Sequence, residues 1–191
     1  MARIAFIVIA PFADWEPALL AAGARDDFGD EVTWWSPGGQ PTPSMGGMTL
    51  QVNGALEDFT PDQADALVLV GSATWMTPQA PELTDLLRRA VDAGLVVAGI
   101  CGATVALAKA GLLDGRAHTS NDLEFLKTQA PSYQGASHYR DVPHAVRDGR
   151  LVTAAGTAPV TFTLEILGLL HPEAPEKVAA FKVFAREHLA A

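Results

Sequence analysis

The chain has 191 residues, 49% of them hydrophobic, with one cysteine and 22 acidic against 13 basic residues for a formal charge of −9. That length suits one well-packed domain over residues 1–191. A single cysteine excludes an internal disulfide, a CxxC redox pair and a thiolate-rich zinc site, and no run of lysine or arginine follows a phosphate backbone, so nucleic acid is not expected as a partner.

The opening run Ile4–Ala10 is apolar and β-branched and reads as a buried first strand. Its brevity, and the Pro11 and Asp14 that follow it, argue against a secretion signal. Trp15–Arg25 reads as the first helix and Glu31–Ser36 as the second strand. Pro37–Gly47, dense in proline and glycine, is an excursion before an extended piece near Met48–Val52. Ala66–Val70 and Val96–Ile100 are again short apolar runs, with an amphipathic helix, Pro81–Ala93, between them. Gly102–Lys109 forms a helix, Gly111–Gly115 a turn and Arg116–Thr119 a short strand; Asn121–Gln129 is a helix capped by Ser120 or Asn121. Asp148-Gly149 is a hairpin-type turn ahead of the strand Leu151–Ala154, and Pro159–Leu170 and Glu176–Ala190 are the last helices. The alternation predicts the α/β class, with a mostly parallel central sheet covered on both faces. No stretch reaches the length of a membrane span, so a cytoplasmic protein without a membrane partner is expected.

In such sheets the ligand crevice lies at the carboxyl ends of the strands. Cys101 stands at one such end, between the apolar run ending at Ile100 and the helix-forming stretch that starts at Gly102. This is the pattern of a nucleophile elbow, in which a tight turn lifts the side chain above the sheet and the helix start favours the thiolate. The same residues fit a buried structural cysteine. Glu16, after the first strand, falls beside that elbow. Ionised, it would oppose a thiolate; protonated by partial burial, it would donate a hydrogen bond to one, the form favoured here. Its alternative role is to favour the positive end of its own helix. After the third strand, the backbone N–H of Ser72 forms with that of Gly102 a candidate pair of oxyanion donors.

These features carry a resemblance over nearly the whole chain. The opening strand with Glu16 after it, the turn at Gly71, the A-G-I-C-G elbow, A-G-L-L-D-G-R at Ala110–Arg116 and D-G-R-L-V-T-A-A-G at Asp148–Gly156 resemble, in order, the ThiJ/PfpI (DJ-one-like) family of the class I glutamine amidotransferase-like superfamily. The resemblance implies a flavodoxin-like three-layer sandwich, a homodimer, a protonated Glu16 beside Cys101, and oxyanion binding by the Ser72 and Gly102 amides. The sequence departs from the family in three places. Peptidase-like members carry a histidine directly after the cysteine, where this chain has Gly102, which counts against a protease. Other members place a histidine about where Ser120 or Asn121 stands, whereas His118 comes two residues early. The family's glycine pair after the third strand is here Gly71-Ser72.

His118 is the histidine nearest the elbow in sequence and the candidate for proton transfer. His138 lies in an irregular region that folds toward the crevice; His144, His171 and His188 read as surface or capping residues. Trp34 and Trp35 read as packing residues, and Trp75 as a pocket wall that sets specificity. Neither G-x-G-x-x-G after the first strand nor G-x-x-x-x-G-K-[ST] occurs, and no histidine spacing suggests a metal, so no cofactor and no metal are expected. The leading functional expectation is a cysteine hydrolase or amidotransferase-like enzyme, in which Cys101 attacks a carbonyl of a small molecule or amide. An oxidation-sensing stress protein and a small-molecule binding module are the alternatives.

Overall fold

The structure is a computed structural model that describes residues 1–186. The elements follow in chain order as β1 (Arg3–Ile7), α1 (Trp15–Phe28), β2 (Glu31–Ser36), β3 (Thr42–Pro43), β4 (Thr49–Leu50), β5 (Gly54–Ala55), β6 (Ala66–Leu69), α2 (Thr84–Asp92), β7 (Val96–Ile100), α3 (Thr104–Lys109), α4 (Leu123–Gln129), β8 (Val146–Asp148), β9 (Leu151–Ala154), α5 (Pro159–Leu170) and α6 (Pro175–Ala180). Seven strands make one sheet in the order β5-β2-β1-β6-β7-β9-β8, while β3 and β4 pair separately. All pairings in the large sheet are parallel except β8 with β9, which the turn at Asp148-Gly149 joins as a hairpin, with Gly149 at a φ of 61°. The chain is therefore α/β with helices on both faces of a mostly parallel sheet, the three-layer architecture expected.

Parallel strands covered on both sides must be apolar on both sides, which is why β6, β7 and β9 are buried at every residue. Alternate residues feed two cores. Ala5, Ile7, Leu67, Leu69 and Val97 pack under α2, α3 and α4. Ile4, Phe6, Val68, Val96 and Ala98 pack under α1, α5 and α6, where Leu20, Phe162 and Phe181 reach the sheet. Each fully buried large side chain contributes about 1.5–3 kcal/mol relative to exposure.

Several boundaries differ from the sequence expectation. Arg116–Thr119 forms no ladder strand; it makes one bridge, His118 to Tyr139. The cap of α4 is Asp122, whose carboxylate accepts the Phe125 N–H at 2.7 Å, because Asn121 is engaged elsewhere. The helix expected from Glu176 divides into α6 and a 3-10 segment, Phe181–Ala185; the remainder, with His188, lies outside the described residues. Among the described residues no helix is long and apolar enough to cross a membrane. Trp34 stacks on Phe6 and Trp35 meets Phe59 edge-on, both as packing residues.

Strand order turns back between β1 and β6, since β1 runs on to β2 on one side while the chain continues from β6 to β7 on the other. Loops after β1, β6 and β7 thus meet at a topological switch point. They carry Glu16, Gly71-Ser72 and Cys101 respectively.

Candidate active site

Cys101 follows β7 directly and has a φ of 58°, the one non-glycine residue with positive φ among those described. Left-handed backbone costs a β-carbon-bearing residue about 1–3 kcal/mol and persists only where the surroundings enforce it. Two glycines on neighbouring loops are part of that enforcement. A Cβ at Gly71 would stand 2.8 Å from the Cys101 Cβ and 2.7 Å from Glu16 Oε1; one at Gly156 would stand 2.9 Å from Sγ and 3.2 Å from Glu16 Oε1. Larger residues at either place would push thiol and carboxyl apart.

Glu16 lies in the first turn of α1 and is 0% exposed. Its Oε2 accepts the Gly71 N–H at 2.6 Å, whereas its buried Oε1 has no nitrogen or oxygen partner among the described residues. Burial pushes this carboxyl up to about 7, against the opposing effects of the Gly71 N–H and of Cys101. The Cys101 thiol is also pushed up, first by burial and then by the negative charge of Glu16; N–H donors from Asn121 and Gly102 work the other way. The lowered thiol pKa expected of a helix start is thus not what the structure holds. An N–H pair supplies partial charge, but it is outweighed by desolvation and by the carboxylate charge. That charge vanishes when the carboxyl keeps its proton, so thiol and carboxyl titrate as a unit.

Ser72 and Gly102 are brought together. The Ser72 side chain accepts the Thr74 N–H at 3.1 Å, and a Cβ at Gly102 would stand 2.6 Å from the Ser72 carbonyl oxygen. Position 102 has no room for the histidine of the peptidase-like members on this backbone path.

His118 is placed differently. It is 0% exposed, with Nδ1 at 2.7 Å from the Arg116 carbonyl oxygen and Nε2 at 2.6 Å from the Tyr133 hydroxyl. Only an N–H can meet the carbonyl, so Nδ1 carries the proton and Nε2 accepts from Tyr133. Burial first, and the neighbouring His138 and Arg140 after it, push His118 below its ordinary value. Both nitrogens are committed to fixing the 116–140 segment, and the residue that meets the sulfur is Asn121, whose Nδ2 donates to Sγ at 3.5 Å while its Oδ1 accepts the Gly156 N–H at 3.1 Å. Asn121 is, with Ser120, one of the two positions about which the resemblance places a histidine, and the offset of His118 from them was the available signal.

Trp75 is likewise not where the sequence suggested. It is 1% exposed, donates its indole N–H to the Val70 carbonyl at 2.8 Å and joins the core beneath α2 and α3, since the 3-10 turn Ala73–Met76 directs the ring inward. The tryptophan at the site is Trp15, half exposed, with its indole N–H on the Gly156 carbonyl at 2.8 Å. Trp15, Cys101, Asn121 and Gly156 open onto one cavity of about 990 Å³, closed on another side by Pro143 and the first turn of α5. His138 contributes a backbone carbonyl to His118 and does not line this cavity. His171, expected as a surface or capping residue, is the C-cap of α5 but is buried, and pairs with Asp30 at 2.7 Å, tying the end of α5 to the start of β2. Among the described residues no group of three or more His, Cys, Asp or Glu is arranged to hold a metal.

Comparison with known proteins places this arrangement. The model of the DJ-1/PfpI family matches residues 2–169. A DJ-1 superfamily protein of Agrobacterium tumefaciens, Atu0886, has a solved structure that aligns with a TM-score of 0.93 at 45% identity, over 98% of this chain and 100% of that one. The Bacillus subtilis protein described as the uncharacterized protease YdeA is 32% identical over 93% of this chain and 88% of its own length. A second from that organism, the uncharacterized protease YoaZ, is 36% identical over 72% of this chain; the aligned part spans 65% of the length of YoaZ. With the family model running from β1 into α5, and with relatives aligned over most of their length, the chain belongs to the DJ-1/PfpI family.

Proposed function

We propose that the chain is a cysteine-dependent enzyme that adds the Cys101 sulfur to the carbonyl carbon of a small molecule, with Glu16 as the proton donor. The observation that carries the reading is the buried, partnerless Oε1 of Glu16, lying with Sγ against Gly156. A carboxyl oxygen stripped of water is costly when charged, and protonation turns it into a donor with a sulfur acceptor at hand.

In the step, thiolate sulfur bonds to the carbonyl carbon and the C=O π pair moves onto oxygen. The Ser72 and Gly102 amides hold that oxygen while it is negative. The oxygen then takes the Glu16 proton, leaving a neutral hemithioacetal or hemithioketal and an ionised Glu16. Amide hydrolysis needs a further group to protonate the leaving amine and activate water. Glu16 is the one ionisable side chain acting on the sulfur among the described residues, and His118 is committed elsewhere. Aldehydes and ketones therefore rank ahead of amides, and peptides rank last because position 102 has no room for a histidine.

The test is formation of a Cys101 adduct with a panel of aldehydes and primary amides in the wild type, Cys101→Ser and Glu16→Gln. An aldehyde adduct in the wild type that is lost in both variants is the expected result. A faster reaction with amides, or an adduct retained by Cys101→Ser, would refute it. A second reading, oxidation of Cys101, is favoured by the same donors, since the Gly102 and Asn121 N–H groups and the Glu16 O–H would hold sulfinate oxygens. There the thiolate attacks peroxide, taking one oxygen as the sulfenic acid and releasing hydroxide, and the sulfenate takes a second oxygen from a second peroxide, giving the sulfinate and water. Mass spectrometry after mild peroxide treatment decides: an unmodified Cys101 would remove this reading.

A further inference from the structure

We propose that this cavity selects an uncharged substrate bearing an apolar substituent of aromatic size, and that Trp15 is the residue that selects it; the inference rests on the reading above, that Cys101 is reactive. The cavity of about 990 Å³ has no charged side chain among its described lining residues. Pro143, Pro159 and Val160 present apolar surface to it. A carboxylate or a zwitterion such as glutamine would shed water there with no cation to replace it, which is unfavourable for any buried ion. The volume lies at the upper end of small-molecule sites, well beyond what a two- or three-carbon aldehyde fills.

Trp15 is tied to the reacting atom through a single residue. Its indole N–H holds the Gly156 carbonyl at 2.8 Å, the Gly156 N–H is held by Asn121 Oδ1 at 3.1 Å, and a Cβ on Gly156 would stand 2.9 Å from Sγ. The ring is thus fixed relative to the sulfur although it is 51% exposed, and a substituent on a carbonyl bound at Cys101 has this aromatic surface to lie along. The first turn of α5 also reaches the cavity without a side-chain cap, and offers only a partial positive charge. An anion drawn to that helix start is the rival to be excluded.

The one cysteine makes the test direct, because alkylation has a single source. Rates with iodoacetamide, N-phenyl-iodoacetamide and iodoacetate are measured on the full chain and each divided by the rate of the same reagent with glutathione. The expected order is the phenyl reagent at least ~10-fold above iodoacetamide and iodoacetate at least ~10-fold below it, the size of discrimination a shaped apolar pocket supplies. Trp15→Ala removes the phenyl advantage, and Trp15→Phe, which keeps a ring, retains part of it. In Glu16→Gln the order is unchanged. Iodoacetate as fast as iodoacetamide, or a phenyl advantage that survives Trp15→Ala, would overturn the proposal. Loss of the iodoacetate penalty in Glu16→Gln would also overturn it, by assigning the exclusion to one carboxylate. If no reagent reacts faster than with glutathione, the reading of Cys101 as reactive falls, while the order among reagents still decides the nature of the cavity.

Discussion

Glu16→Gln should remove a specific part of the pH dependence of folding. In the native chain burial holds this carboxyl at about 7 instead of its ordinary 4.5. A group whose folded pKa is raised gives stability that is fully present below the unfolded value and lost as pH rises through the folded one. At ~1.4 kcal/mol per tenfold change in proton affinity, the loss across this window is at most about 3 kcal/mol. Glutamine has the same shape, can still accept the Gly71 N–H, and turns an N–H toward the sulfur, so it keeps the contacts without the titration. Denaturant unfolding at about pH 4.5 and about pH 8 should therefore show the variant gaining up to ~3 kcal/mol on the wild type as pH rises. The remaining carboxylates titrate in both proteins and cancel in the difference. Parallel stability curves for the two proteins would refute the claim that Glu16 is held protonated by burial.

Three further substitutions probe the neighbourhood. Gly102→His brings a Cβ to 2.6 Å from the Ser72 carbonyl oxygen, and should lose about 1–3 kcal/mol in denaturant unfolding; undiminished stability would contradict the close approach. His118→Phe strands the Tyr133 hydroxyl and the Arg116 carbonyl, and should cost about 2 kcal/mol while leaving the alkylation rate of Cys101 unchanged. Slower alkylation with stability intact would return His118 to the chemistry. Asn121→Ala removes an N–H from the sulfur and the acceptor for Gly156, so alkylation at neutral pH should slow about tenfold with its pH profile displaced upward; an unmoved profile would show that the contact does nothing for the thiolate.

Much of the scaffold was legible because it rests on local periodicity. Glu31–Ser36, Val96–Ile100, Leu151–Ala154 and Pro159–Leu170 have the bounds expected of them, each a continuous apolar run or an amphipathic stretch closed by a turn residue. Arg116–Thr119 looked like a strand because it is short and flanked by turns, yet it joins no ladder: a single backbone bridge from His118 to Tyr139 and hydrogen bonds to side chains hold it. Cys101 and Glu16 could be placed beside each other because the loops after parallel strands converge at one end. The partners of His118 and Trp75 could not, since they depend on how the 130–140 segment and the Ala73–Met76 turn fold back over distances that no local pattern encodes. For Asn121 the sequence carried a positional signal only, the offset of His118 from the place where the resemblance puts a histidine; the contact of its neutral amide with the sulfur needs the three-dimensional structure.

The central claim is that Glu16 and Cys101 act as one titrating pair in which the carboxyl proton supports the thiolate. It is tested most directly by the rate of iodoacetamide alkylation of Cys101 against pH in the wild type and in Glu16→Gln. In the wild type Glu16 gives up its proton at about 7 and its carboxylate then pushes the thiol up, so the rate should rise only above the free-thiol value of about 8.5; in the variant burial remains but that charge is gone, so the rate should rise at lower pH than in the wild type. Coincident profiles, or a variant profile displaced upward, would contradict the account, because either would show that the Glu16 charge does not act on the thiol.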